Sequence, residues 1–500
     1  MNYSLQKFSF LDFFQKIFFK LNQFRRHVFV RIWFLYILFL LIVTSLLIFP
    51  FVWINPDIHS YKFLDSFYLV TSAFSTTGLK VRDIGTDMTF WGQLIIFLLM
   101  LMGGIGLLFF KILFFQMMKS LFKFRLISSI NLKNSQEQIF ERGYLQISKT
   151  RRMLRVSFCF LLFIELVGFL TLFALLFNPP SGQPFHDFKG NASLSFWNAL
   201  FHSVSATNNA GFDIFPGESL SYFVNSFPIQ IVFAIQFILG GIGFIVFLDI
   251  WDWFLAKKNH RSHRFGFFTK FSLYMYTIVV IFGLSIIFLT EGLNRESSTE
   301  ETNISFVFRV VFNTLSCRSA GFSTVDIKSE FTHLSRLIMI ILMWIGCSPL
   351  STGGGIKTSI FAILLLSLLA SRDAKNNILV GHRSIDKRAI NVALATVFFS
   401  IILIFFGTFL SLLFSKYYAS GDNFVPERHD LTNNLFYFTS ALGNVGLNAI
   451  PIADQPNWKI FKLYTIFLML FGQIGISGIF LFNQRNKQRS FTAIPIEIPL

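Results

Sequence analysis

Four short segments hold the residues with the clearest chemistry in this sequence: Thr76-Thr77-Gly78-Leu79, Asn209-Ala210-Gly211-Phe212, Ser319-Ala320-Gly321-Phe322 and Asn444-Val445-Gly446-Leu447. Each offers small or hydroxyl and amide side chains, one glycine, then Leu or Phe. Nucleophile, base and phosphate-loop arrangements are missing from this pattern, which suits a different task. Main-chain carbonyl oxygens can replace the hydration shell of a bare monovalent cation, and glycine permits the backbone angles that aim consecutive carbonyls at one axis. A serine precedes the glycine by the same interval in three segments (Ser72, Ser205, Ser440), whereas the third breaks register with Leu315 and Ser316.

The elements that must position these segments follow from hydropathy. A short apolar stretch leads into each one: Leu64 to Phe74, Leu194 to Ala206, Ile304 to Ser316 and Leu431 to Leu442. As helices they would reach roughly 16 to 20 Å, about half a bilayer, so they enter and must return. Around them run apolar stretches long enough to cross at 32–53, 91–117, 156–177, 222–250, 271–290, 389–415 and 458–482, with an interrupted eighth at 333–371. Two full crossings per unit bring successive units in from the same side, so their glycine segments can meet around one axis. Non-helical backbone at membrane depth survives where it lines a cavity, and the C-terminal ends of the short helices would add partial negative charge there. The expected fold is therefore an all-α polytopic membrane protein. It has four tandem helix, pore-helix, filter-loop and helix repeats around one pore, with eight spans and four re-entrant half-helices. Gly103-Gly104-Ile105-Gly106 and Gly240-Gly241-Ile242-Gly243 read as helix-packing faces without ion contact.

Composition agrees with lipid as the main solvent: 53% of the 500 residues are hydrophobic and 14% are charged, against about a quarter charged in ordinary soluble domains. The net charge of +17 would suit nucleic acid, but its placement excludes that partner. Lys and Arg, including Lys149, Arg151, Arg152 and Arg155, concentrate in 1–31, 118–155, 251–270, 372–388 and 483–500. By the positive-inside rule these five segments, and both termini, are cytoplasmic. The repeats then occupy 32–117, 156–250, 271–371 and 389–482 of a multi-pass protein of the cell membrane. The first span follows a basic leader without a small-residue cleavage site, which predicts an uncleaved anchor. Cys159, Cys317 and Cys347 sit in apolar contexts without metal-like spacing and read as packing residues.

The interrupted span reads Ile345-Gly346-Cys347-Ser348-Pro349-Leu350-Ser351-Thr352-Gly353-Gly354-Gly355-Ile356-Lys357-Thr358. Proline and three consecutive glycines cannot propagate a helix. The expected role is a constriction beneath the filter: a gate built from Ser351, Thr352, Gly353, Gly354 and Gly355, with Lys357 as a movable positive charge. Its likeness to a phosphate loop fails because the Gly-Lys pair is absent. Glu165 is an intramembrane carboxylate and so a functional candidate, but without an acidic partner or His chain it reads as polar packing. His202 and Asn198 read as hydrogen-bonded supports.

These residues resemble the Ktr/Trk/HKT superfamily of potassium transporters, and within it the Ktr membrane (B) subunit, over roughly residues 32 to 482. The likeness rests on Thr76-Thr77-Gly78-Leu79 with Asp83, Asn208 to Asp213, Arg318 to Phe322, Gly446-Leu447, and above all Ser348 to Thr358. It implies that Gly78, Gly211, Gly321 and Gly446 mark a filter for K+, that the broken segment is a gating loop, and that glycine rather than serine at 78 favours potassium. It also implies a homodimer on a separate cytosolic ring of nucleotide-binding regulatory subunits. No cofactor is expected in this chain, K+ is the transported ion, and sodium activation stays open. One departure is Gly472-Gln473-Ile474-Gly475, where relatives often carry arginine in place of Gln473. The alternatives are a sodium-permeable or non-selective cation transporter of the same fold, and an intramembrane enzyme on lipid-linked substrates, for which paired carboxylates or His clusters are missing.

Overall fold

Long runs of Leu, Ile, Phe and Val fold into helices that follow one another in a recurring order. The computed structural model describes residues 28–54, 63–104, 147–179, 188–215, 219–295, 302–369, 378–380, 383–385, 387–418, 430–450 and 459–477. The expected cytoplasmic residues 1–27, 118–146 and 483–500 lie outside these. A first helix, α1 (Val28–Leu47), is followed by short α2 (Phe63–Phe74) and by α3 (Phe90–Gly104). Next come α4 (Ile147–Phe177), short α5 (Ala192–Thr207), α6 (Phe227–Ile242) and α7 (Phe244–Lys258). The third succession is α8 (Phe267–Leu293), short α9 (Asn303–Ser316), α10 (His333–Trp344) and α11 (Thr358–Leu369). The fourth is α12 (Lys387–Tyr418), short α13 (Leu431–Gly443) and α14 (Lys459–Ile474).

Among the described residues three continuous helices are long and apolar enough to cross a bilayer, Arg155–Phe177, Phe267–Leu293 and Ala389–Phe414, and a fourth if α6 and α7 count as one span. The expected spans 91–117 and 458–482 run beyond the described residues, which stop at 104 and 477. The expected continuous span 222–250 is corrected: α6 and α7 bend by 93° at Gly243, whose φ of 105° ends α6. The all-α expectation agrees with the fold, to which one short ribbon is added. Within the connection 372–388, β1 (Ile378–Val380) pairs antiparallel with β2 (Arg383–Ile385) in the register Ile378 opposite Ile385. Here three-residue segments rich in β-branched side chains form a ribbon rather than a helical turn.

The polarity of the fold is inside out. Large apolar side chains such as Phe163, Leu170, Phe282, Leu289, Phe398 and Phe409 stand exposed on α4, α8 and α12, while Ser72, Thr77, Ser205, Asn208, Asn313, Ser440 and Asn444 are buried. Lipid solvates the outer faces and removes much of the hydrophobic drive between helices, so close packing and hydrogen bonds hold the interior.

Each short helix packs within its own succession and also against a helix of the preceding one. Thus α2 meets α14, α5 meets α3, α9 meets α6, and α13 meets α10. The four seams close a cycle. Asp65 of α2 pairs with Lys462 of α14, and Trp197 Nε1 of α5 donates to Gln93 Oε1 of α3 at 2.7 Å. Phe312 of α9 lies edge-on to Phe237 of α6 at 5.8 Å, and Arg336 Nη1 of α10 donates to Asn433 Oδ1 of α13 at 2.7 Å. Three short helices carry side-chain caps: Asn191 accepts from Leu194 N, Thr302 from Ser305 N and Asp430 from Asn433 N. Each cap satisfies an orphan N–H that apolar surroundings would leave unpaired.

Candidate functional site

Each short helix runs at its C-terminal end into one glycine segment, and the four segments share a backbone pattern. In three of them the residue before the glycine donates its N–H to the carbonyl of the serine that the sequence pattern singles out: Thr77 to Ser72 at 2.8 Å, Ala210 to Ser205 at 2.8 Å and Val445 to Ser440 at 3.0 Å. In the same three the residue two before the glycine is left-handed, with φ of 52° at Thr76, 52° at Asn209 and 49° at Asn444. The third segment is one residue shorter. Ala320 N bonds to Ser316 O at 2.9 Å, and Ser319 keeps an ordinary φ. The register break at Ser316 thus has a direct structural counterpart.

The glycines lie in a ring. A Cβ at Gly78 would stand 2.6 Å from the Ala210 carbonyl oxygen, and one at Gly211 would stand 3.0 Å from that of Ala320. At Gly321 it would meet the Val445 oxygen at 2.1 Å, and at Gly446 the Thr77 oxygen at 2.1 Å. Each glycine is therefore overlaid by the carbonyl of the residue preceding the next glycine, and the fourth returns to the first. Gly78, with φ of 88°, has neither the backbone conformation nor the space for a side chain. The structure thus brings together Thr76, Thr77, Gly78, Asn209, Ala210, Gly211, Ser319, Ala320, Gly321, Asn444, Val445 and Gly446.

The glycines expected as packing faces bear directly on this ring. A Cβ at Gly103 would meet the Phe74 carbonyl oxygen, one at Gly104 the Asn208 side chain, and one at Gly240 the Thr207 carbonyl oxygen. Gly472 has the same relation to Leu442 and Asn444. Small residues here let a second helix approach the turn itself, a detail that sequence alone does not specify.

The broken segment between α10 and α11 touches all four loops. Thr76 Oγ1 donates to Thr352 O at 3.3 Å, Asn209 Nδ2 to Thr352 Oγ1 at 2.8 Å, and Gly354 N to Ser319 Oγ at 3.2 Å. A Cβ at Gly354 would stand 2.4 Å from Asn444 Cβ. Those four partners are the residue two before each glycine, so the segment lies across one face of the ring. Ile345 and Ile356 pair in a parallel bridge that pinches the segment shut. Ser348 N and Thr352 N donate to the carbonyls of Gly241 and Gly240 at the end of α6. Gly353 is packed against Ser319 and Cys347, and Gly355 has φ of 76°. Ser351 Oγ donates within the segment to Ser348 O at 2.7 Å. Lys357 Nζ donates to Gly353 O at 2.6 Å, so its charge is clasped to the segment's own backbone.

Several supports stand behind the loops. The Glu165 carboxylate accepts from Asn208 Nδ2 at 2.8 Å, and its carbonyl accepts from Ser203 Oγ at 2.6 Å, which braces the second loop. His202 engages Asn198 O at 2.7 Å and accepts from Ile214 N at 3.2 Å. Gln473 donates to Phe74 O at 2.6 Å at the end of α2. Arg318 has no assigned role from the sequence. It is 1% exposed, donates to Gly346 O at 2.8 Å and lies 5.0 Å from the Tyr276 ring, joining the third loop to the start of the broken segment. Its signal in the sequence is a charge set directly before a glycine motif in an apolar region. Lys80 and Asp213, charges set two residues after the glycines of loops one and two, form an ion pair at 2.6 Å.

Residues 113–492 match the TrkH family of cation transport proteins. The Ktr system potassium uptake protein B of Vibrio alginolyticus is 30% identical over 416 residues, covering 82% of this chain and 82% of that protein. A Mycoplasma pneumoniae protein described as an uncharacterized cation transporter, MG322 homolog, is 29% identical over 511 residues, covering 89% of this chain and 87% of its own. The crystal structure of the potassium transporter TrkH from Vibrio parahaemolyticus aligns with a TM-score of 0.62 and 17% identity, over 89% of this chain and 83% of that one. This last likeness speaks to the fold, and the family match spans most of the sequence. The chain is thus a membrane cation transporter rather than an enzyme, and it belongs to the TrkH family of cation transport proteins.

Proposed function

We propose that this chain is the potassium-translocating membrane subunit of a Ktr/Trk-type uptake system, passing dehydrated K+ through the ring of four glycine loops. The observation that carries this reading is the closed overlay of Gly78, Gly211, Gly321 and Gly446 by neighbouring carbonyls. Backbone oxygens gathered in this way, behind helix C-termini, stabilise a bare cation and disfavour anions. The segment from Ser348 to Gly355 is the gate: it spans one face of the ring and must shift for an ion to pass. Its bonds through Thr352 and Gly354 are few and exchangeable, which suits a movable element.

In this reading the chain makes eight crossings in four repeats bounded at 32–117, 156–250, 271–371 and 389–482. Both termini and the basic connections are cytoplasmic, and the protein resides in the cell membrane. It acts as a homodimer over a separate ring of nucleotide-binding regulatory subunits, in keeping with its likeness to a Ktr B protein. A membrane potential supplies about 2.3 kcal/mol per charge per 100 mV, and 1.4 kcal/mol is tenfold, so accumulation of nearly fiftyfold needs no ATP hydrolysis in this subunit.

The test is growth and rubidium influx in a cell that lacks its own potassium uptake. The chain is expected to restore growth at low potassium and to carry rubidium. Folded protein in the membrane without influx would remove the proposal.

A further inference from the structure

Two residues beyond the glycine of loop one stands Lys80, and two beyond that of loop two stands Asp213. Their side chains meet at 2.6 Å, with relative exposures of 11% and 1%. The broken segment contacts the residues that precede the glycines, so this pair sits on the opposite face of the ring, beyond the last carbonyls. At the matching positions of loops three and four stand Ser323 and Asn448. Ser323 N donates to Ser219 Oγ at 3.0 Å, and Asn448 Oδ1 accepts from Ile450 N at 3.0 Å. Among the described residues of these four positions, the mouth therefore carries an ion pair across one corner, between loops whose glycines are neighbours.

The other ionisable groups of that corner have structural partners. Asp83 accepts from Gly85 N at 2.9 Å as a helix cap, and His202 is held between Asn198 and Ile214. Asp213 differs: Oδ2 holds Lys80, and Oδ1 is buried without a hydrogen-bond partner. A buried carboxylate with a spare oxygen attracts cations, and an ammonium group is close to K+ in size and charge. The tethered lysine is thus placed where an arriving ion would otherwise be drawn.

We propose that Lys80 and Asp213 form a charge clamp at the ring's open mouth that sets cation entry: Asp213 draws cations inward, and Lys80 occupies and masks it. The proposal rests on the reading of the ring as a potassium filter. A unit charge roughly 6 Å from an ion, at an effective dielectric near 20, changes occupancy by on the order of a hundredfold, and partial exposure reduces this. The two single substitutions should therefore move apparent affinity in opposite directions.

The experiment compares the wild-type chain with Asp213→Asn, Lys80→Met and the double variant. Rubidium uptake gives KM, and the potassium dependence of the melting temperature of the purified chain gives a second reading. Asp213→Asn, which leaves an unpaired ammonium at the entrance, should raise KM about tenfold with little change in maximal rate. Lys80→Met should lower KM, and the double variant should lie near wild type. Equal KM values across the series would overturn the clamp, as would a double variant no better than Asp213→Asn. If Asp213→Asn does not fold, Lys80→Met alone decides, since an unchanged or raised KM defeats the proposal. A wild-type chain with neither rubidium uptake nor stabilisation by potassium would instead defeat the filter itself.

Discussion

Asn444 Nδ2 donates to Thr77 Oγ1 at 2.7 Å and to Met469 O at 2.9 Å, so one amide ties the fourth glycine loop to the first and to α14. It does so from a left-handed backbone with φ of 49°, a conformation that asparagine tolerates better than most residues. Asn444→Ala removes both bonds, leaves Thr77 short of a donor and strains the turn. We expect about 2 to 4 kcal/mol of lost stability and a reduced preference for potassium over sodium. Thermal unfolding in detergent and reversal potentials in mixed salts measure the two effects. Unchanged selectivity at full folding would detach this residue from the filter.

Gly78→Ser sets a Cβ 2.6 Å from the Ala210 carbonyl oxygen in a backbone with φ of 88°. That oxygen must turn or withdraw, which loosens the cage around a dehydrated ion. The expected result is at least about a tenfold fall in potassium over sodium preference, or about 1.4 kcal/mol, read from competition of sodium with rubidium influx. Gly292, which has open space around it and no left-handed backbone, is the control: Gly292→Ser should leave that preference as it is.

Thr352 connects the broken segment to loops one and two through its carbonyl and its hydroxyl. Thr352→Val keeps shape and deletes the hydroxyl bond, about 1 kcal/mol of closing energy. The open fraction, and with it rubidium flux at saturating ion, should rise severalfold. Deleting Gly353 to Gly355 should change flux more severely, because the Gly354 contact with Ser319 disappears as well. Wild-type flux in both variants would show that the segment does not gate.

Glu165 serves the second loop as an acceptor for Asn208. Glu165→Gln retains an oxygen at that place and should transport nearly as wild type. Glu165→Ala leaves Asn208 Nδ2 with only its 2.9 Å bond to Val204 O and one N–H without an acceptor in a dry site, at a cost of about 1 to 3 kcal/mol. A proton-relay role would reverse the pattern, with Gln as damaging as Ala. Rubidium influx of the two variants side by side decides between them.

Asp65 and Lys462 join α2 to α14 with side chains 10% and 8% exposed. Lys462→Met strands a buried carboxylate and should lower stability by about 3 to 5 kcal/mol. Pairing it with Asp65→Asn should recover much of that loss. A thermal shift series that shows no recovery would mean that the pair is not what closes this seam.

Much of the architecture is written locally. Short apolar stretches before glycine are visible because hydropathy and breaker residues act over a few positions. The shortened third loop is equally legible from the place of Ser316. The bend at Gly243 is not, because Gly240-Gly241-Ile242-Gly243 has the same letters whether it packs a straight helix or ends one. The role of Arg318 was hidden for a related reason: its partner, Gly346 O, is main chain and leaves no mark in the sequence.

By itself, then, the sequence determined that the chain lives in lipid and marked the four glycines that follow its short apolar stretches. Those properties follow from composition and short-range pattern, which water and lipid read without reference to the rest of the fold. Tertiary structure decided the cyclic order of the loops, the placement of Thr352 and Gly354 across one face, and the pairing of Lys80 with Asp213 on the other. These contacts join positions far apart in the chain, 367 residues in the case of Asn444 and Thr77, and packing selects them through shape and hydrogen-bond satisfaction that no local run of residues encodes.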